Sequence, residues 1–313
     1  MRGWWLGLVC LVGCSANDTA SPGAGGGYGG QAAAGGFGGV GGGAAASGGG
    51  GAAGAGAAAG AGAGGLAGSG GGGNPPVGEV YGHSANTLYK LEPFSKTVAV
   101  IGQFDCTSSM WDIALDASGV MVGVTGGLGG GAVVSIDKAT AKCFVVKSGT
   151  FPNSLTYLPA GTLLPSEEAL VGYDRSNYVR IDRQTASIVP VGGLNPNSTG
   201  EAWESSGDIV SIIGDKTYLT AKPLLSGADT VDYLLEVDPV TGKALKVLGS
   251  TGFQDLWGLG YWAGVAYGFS DTGQLVEIDL ATGAGALIPI QSLPGLSFWG
   301  AGVTTAAPIE PPR

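Results

Sequence analysis

Residues 256–290 contain four short apolar runs: Leu256-Trp257-Gly258-Leu259-Gly260-Tyr261-Trp262, Val265-Ala266-Tyr267-Gly268-Phe269, Leu275-Val276-Glu277-Ile278-Asp279 and Ala286-Leu287-Ile288-Pro289-Ile290. Each is rich in aromatic and aliphatic residues and is bounded by turn residues, which reads as four strands joined by hairpins. The third-to-fourth turn is spelled Asp279-Leu280-Ala281-Thr282-Gly283, and a near copy, Asp238-Pro239-Val240-Thr241-Gly242, lies 41 residues upstream. In both, the Asp side chain can accept backbone N–H groups and the Gly can take a positive φ. The recurring acid is therefore read as structural, not as one of a ring of metal ligands.

Working outward, the unit recurs five times between residues 79 and 305. Its acids are Glu92, Asp137, Asp182, Asp238 and Asp279, spaced 45, 45, 56 and 41 apart. An aromatic follows each at an offset of 19 to 21: Trp111, Tyr157, Trp203, Trp257 and Trp299. A period in the forties built from four short strands is the signature of a β-propeller blade, so the expected fold is all-β, a five-bladed propeller. The last copy stops after Phe298-Trp299-Gly300-Ala301-Gly302, an inner strand, at about Thr305. The first begins with Val80-Tyr81-Gly82-His83-Ser84, which matches the second strand Ala266-Tyr267-Gly268-Phe269-Ser270. Pairing the N-terminal strand with the C-terminal inner strand closes the ring and leaves no open seam. Residues 306–313 are left as a tail.

The chain before this region has a different composition. No charged residue occurs from Ala20 to Gly78, and 28 of the 63 glycines lie between Gly23 and Gly73. Such a stretch has too little side-chain area to offset the entropy of ordering and reads as a disordered tether with a reach of roughly 40 Å. At the N-terminus, Arg2 and the apolar run Trp4 to Val12 form a targeting segment too short to span ~30 Å of hydrocarbon. The formal net charge is −10, one unit more negative without Arg2. An acidic surface repels phosphate backbones, so nucleic acid is excluded as an expected partner.

Two resemblances follow. Leu11-Val12-Gly13-Cys14 resembles the lipobox of bacterial lipoproteins, which implies a signal peptide at 1–13, a diacylated (palmitate-bearing) Cys14 and a linker at 14–78. Ser15 stands where an inner-membrane retention signal has Asp, so the resemblance implies an outer-membrane anchor, facing the periplasm or the cell surface. Residues 79–305 resemble the quinoprotein-like, NHL-like and WD40-like propellers in period and turn spelling. They lack the Trp-Asp dipeptide at the blade end, and Trp111-Asp112 sits elsewhere in the unit. This class implies binding and interaction, nothing narrower.

Candidate chemistry is sparse. Trp111, Trp203, Trp257 and Trp299 share one place in the repeat, where indoles either fill the wedge between blades or line a central mouth and stack on a sugar or other flat ligand. Periodicity does not separate these. Glu201 and Asp255 stand two positions ahead of an aromatic, in outer-to-inner loops. With Asp112 and Glu204 they would form a carboxylate cluster near the axis, able to hold Ca²⁺ or to serve a glycosidase as acid and base. Solvated loop charge is the plainer reading. The glycines from Thr125 to Gly131 join two strands and lack the Lys of a phosphate loop. His83 is the single histidine, which leaves little room for a nucleophilic triad or a zinc site. Cys106 and Cys143 are an even pair in an oxidising compartment, which favours a disulfide. The blade reading puts them toward opposite faces, and bridging needs Cα atoms within about 7 Å, so the pairing stays open. The expectation is a monomeric, lipid-anchored, non-catalytic binding module for a protein or glycan. Alternatives are a glycan-active hydrolase and a purely structural surface protein.

Overall fold

A computed structural model describes residues 79–312 apart from 128, 129, 228, 292 and 294. The signal segment, Cys14 and the tether lie outside the described residues.

Twenty strands form five four-stranded antiparallel sheets. Blade 1 orders β20 (Gly300–Val303), β1 (Val80–His83), β2 (Thr87–Glu92) and β3 (Thr97–Gln103). Blade 2 holds β4 (Ser109–Leu115), β5 (Met121–Gly126), β6 (Gly131–Asp137) and β7 (Lys142–Gly149). Blade 3 holds β8 (Leu155–Leu158), β9 (Ala169–Asp174), β10 (Asn177–Ile181) and β11 (Ile188–Gly193). Blade 4 holds β12 (Trp203–Ser211), β13 (Thr217–Pro223), β14 (Tyr233–Val237) and β15 (Ala244–Ser250). Blade 5 holds β16 (Leu256–Trp262), β17 (Val265–Ser270), β18 (Leu275–Ile278) and β19 (Gly285–Ile288). The inner strands β4, β8, β12, β16 and β20 each pack beside the next, and β20 packs beside β4, so the ring is closed.

The closure is the one the sequence implies. β1 pairs on one edge with β2 and on the other with β20, with Val80 opposite Val303 and His83 opposite Gly300. All four β1 residues are buried because both faces meet neighbouring blades. Past Thr305 the chain stays attached: Ala307 is buried, and the Pro308 carbonyl accepts from the Ala263 N–H.

The repeated turn acid acts within its own turn. Asp137, Asp182, Asp238 and Asp279 accept from the N–H groups of Ala139, Gln184, Val240 and Ala281. The residue four on takes a positive φ in every case, 59° at Ala141, 51° at Ala186, 71° at Gly242 and 72° at Gly283. Alanine bears the strain of the left-handed region in two copies, where glycine relieves it in the other two.

These turns also join blade to blade. Gly193 donates to the Thr241 carbonyl of the next blade, and a Cβ at Gly102 would come within 3.2 Å of the Thr140 carbonyl oxygen. The twist accumulated over four strands swings the ends of β3, β11 and β15 onto the third-to-fourth turn of the next blade. Cys106 and Cys143 meet for this reason: they are disulfide-bonded, with Cα atoms 5.3 Å apart. Placing them toward opposite faces treats the outer strands as parallel to the axis, and the twist corrects that. Asp105 accepts from the Cys143 N–H beside the bridge. Replacing both cysteines with Ser is expected to cost about 2–4 kcal/mol, read as a lower midpoint in denaturant with an intact fold by circular dichroism.

Candidate functional site: the axial mouth

Strand register defines which residues are equivalent around the axis. Ile113 faces Gly123, Leu155 faces Gly172, Ile209 faces Leu219, Leu259 faces Gly268 and Ala301 faces Gly82. Two positions before these five stand Trp111, Asn153, Gly207, Trp257 and Trp299. All five line a single cavity of about 570 Å³, together with Thr150, Phe151, Asp174, Arg175 and Ser206.

Local irregularities aim the indoles there. The ladder skips Trp111 between Met110 and Asp112, and skips Trp257 between Leu256 and Gly258. A bulge leaves one residue unpaired and turns its side chain out of the alternation, so both indoles project toward the axis. Trp111 lies over Gly126, where any Cβ would overlap its ring. Trp257 and Trp299 meet edge to face, centroids 6.2 Å apart at 83°. Three of the four tryptophans thus line the mouth. Trp203 belongs to the wedge: it is 1% exposed, its Nε1 donates to Thr199 Oγ1 at 2.8 Å, and its ring packs edge-on against Tyr233. Blade 4 has a longer bulge, skipping Ser206, Gly207 and Asp208, which moves the mouth position four residues past Trp203.

One position below the mouth come Asp112, Ser154, Asp208, Gly258 and Gly300. The inner edge of each sheet offers one N–H toward the axis at this level, and two carboxyl groups take all five. Asp112 accepts from Ile113 and Leu155; Asp208 accepts from Ile209, Leu259 and Ala301. The two carboxyl groups are close enough for the charge on Asp208 to disfavour ionisation of Asp112. Burial raises both: Asp208 to about 8, and Asp112 well above the usual carboxylate range, with the Asp208 charge adding to the shift. His83 stands beside them, its Nε2 3.8 Å from Asp112 Oδ1 and its Nδ1 donating to the Ser84 carbonyl. Burial holds its pKa down near 4, so the ring is neutral. A Cβ on Gly300 would overlap both His83 and Asp112; only glycine leaves them room.

The expected face cluster does not assemble. Asp112 is fully buried under the mouth with Asp208, a residue sequence reasoning missed. Asp255 has its Oδ1 3.2 Å from Lys222 Nζ, which lies 3.7 Å from Asp232 Oδ1. Glu201 is exposed, and neither it, Asp255 nor Glu204 lines the cavity. Among the described residues, no group of three or more His, Cys, Asp or Glu side chains is placed to hold a metal ion.

No family model matches the sequence, and no curated protein matches it. Among solved structures, the fold is similar to a chain of the nidogen/laminin complex, at 9% identity and a TM-score of 0.45, covering 72% of this chain and 98% of that one. TolB from Acinetobacter baumannii is similar at 15% identity and a TM-score of 0.40, covering 69% of this chain and 51% of TolB. An oligogalacturonate lyase in complex with manganese gives 10% identity and a TM-score of 0.35, covering 64% and 59%. The strand order of the described residues itself makes the chain a five-bladed propeller of four-stranded blades.

Proposed function

We propose that this protein is a binding module that captures its ligand at the axial mouth and performs no chemistry on it. The observation that carries this reading is the convergence of Trp111, Trp257 and Trp299 on one cavity, whose volume falls within the ~300–1,000 Å³ of ligand pockets. Indoles held partly open in this way expose apolar area to water, which a ligand would cover. A hydrolase is less well supported. Asp174 is the one carboxylate in the lining, where glycoside hydrolysis uses two, and the acids with raised pKa below are engaged with backbone N–H groups. Calcium at Glu201 and Asp255 is disfavoured, because Lys222 already pairs with Asp255 and Glu201 stands outside the mouth.

Trp257→Ala and Trp299→Ala should each weaken a mouth ligand about tenfold, the equivalent of about 1.4 kcal/mol. Their melting temperatures should stay close to wild type. Titration of intrinsic fluorescence against a compound and glycan library tests this, and a ligand bound equally well by both variants refutes it. We also propose anchoring through Cys14 to the outer membrane, with residues 14–78 as tether, on the strength of the Leu11-Val12-Gly13-Cys14 run. Cys14→Ala should abolish incorporation of labelled fatty acid; persistent labelling would overturn the anchor.

A further inference from the structure

The mouth is divided by chemistry as well as lined by it. Around the ring, blades 5, 1 and 2 are consecutive and contribute Trp257, Trp299 and Trp111. Blades 3 and 4 face them with Asn153, Asp174, Arg175, Ser206 and Gly207. One side of the cavity is therefore an indole wall and the other carries donors and acceptors, with Thr150 and Phe151 at the junction of blades 2 and 3. The polar side is mixed: Arg175 only donates, Asp174 only accepts, and Asn153 and Ser206 do both. The floor is shut by the buried Asp112–Asp208 pair, so nothing threads through the axis at this level.

We propose that the ligand is a ring of a neutral saccharide, its C–H face against the indoles of blades 5, 1 and 2 and its hydroxyls toward Asn153, Asp174 and Arg175. This rests on the mouth being the binding site. A pyranose has one apolar face and a polar edge, which matches the division across the cavity. Its hydroxyls donate and accept at once, which matches a polar side carrying both kinds of partner. A planar aromatic ligand would cover the indoles and leave the polar groups desolvated without partners, a cost of about 1–3 kcal/mol for each. A polyanionic sugar would approach a chain of net charge −10 against repulsion. The closed floor excludes a chain that threads the axis.

The test titrates the mature chain with methyl glycosides of common neutral hexoses and N-acetylhexosamines, following indole fluorescence and heat. Indole-3-acetate, choline and a methyl galacturonide serve as aromatic, cationic and anionic probes. Saturable binding of a neutral glycoside, weakened at least tenfold by both Trp299→Ala and Asn153→Ala, supports the proposal, because those residues stand on opposite sides. Loss with Trp299→Ala but not Asn153→Ala overturns the orientation. Tryptophan-dependent binding of the aromatic, cationic or anionic probe without any neutral glycoside overturns the ligand class while leaving the mouth as the site. Glycoside binding that no mouth substitution changes overturns both.

Discussion

A chain that begins at Thr87 instead of Gly78 should fail to melt cooperatively, or melt at least roughly 15 °C lower. The deletion removes β1, four buried residues that pair with β2 on one edge and β20 on the other. Val80 packs in the cluster around Tyr261, Phe269 and Phe298, and Tyr81 in the cluster around Met110 and Ile113, so one strand serves two blade interfaces. Burying each side chain contributes about 1.5–3 kcal/mol, and each ladder hydrogen bond about 0.5–1.5 kcal/mol. β20 also loses its partner strand, which frees Ala301 and Val303 from their sheet. The total exceeds about 8 kcal/mol, against a whole-domain stability of about 5–15 kcal/mol. At about 2–4 °C per kcal/mol for a domain of this size, the shift is large. Scanning calorimetry of the two chains checks it, and equal midpoints would show that the ring does not close through β1.

Fold and site differ in how far the sequence discloses them. Blade number and closure are legible because each is written in local chemistry: an Asx turn spelled the same way four times, and a first strand that copies the second strand of a blade. The mouth is half legible. Trp111, Trp257 and Trp299 share a repeat position, but counting from the turn acid also recruits Trp203, because the three-residue bulge of β12 comes after it and leaves its offset from Asp182 unchanged. That bulge hides Asp208 as well. The available signal is the dipeptide Asp112-Ile113 repeated as Asp208-Ile209, a buried acid ahead of a wedge residue in two inner strands. Charge misleads for a related reason. Glu201 and Asp255 sit in loops that look axial when strands are drawn upright, whereas the acids that reach the axis are on the strands, where a sheet edge has N–H groups to satisfy.

Those N–H groups make Asp208 the second position of large effect. Asp208→Ala should cost at least about 3 kcal/mol, because it leaves the N–H groups of Ile209, Leu259 and Ala301 buried without an acceptor, at about 1–3 kcal/mol each. Asp208→Asn should be much milder, since the amide keeps one acceptor for these N–H groups and removes a buried carboxyl beside Asp112. The two variants differ further in pH dependence. With Asp208 raised to about 8 and Asp112 raised well above its usual range, the folded protein holds more protons than the unfolded chain above about pH 4, so the pair's contribution falls as pH rises through that range. His83 acts in the opposite sense, its pKa lowered to about 4, and costs stability only as pH falls below about 6.5. Asp232, raised by burial to about 6, has lost its contribution by then. Between pH 6.5 and 8.5 the acid pair is left as the main source of pH dependence. Wild-type melting temperature should therefore fall as pH rises over that interval. In Asp208→Asn one of the two titrating carboxyl groups is gone while burial still raises Asp112, so the drop should be smaller than in wild type. A drop as steep in Asp208→Asn as in wild type would show that Asp208 does not titrate in this range.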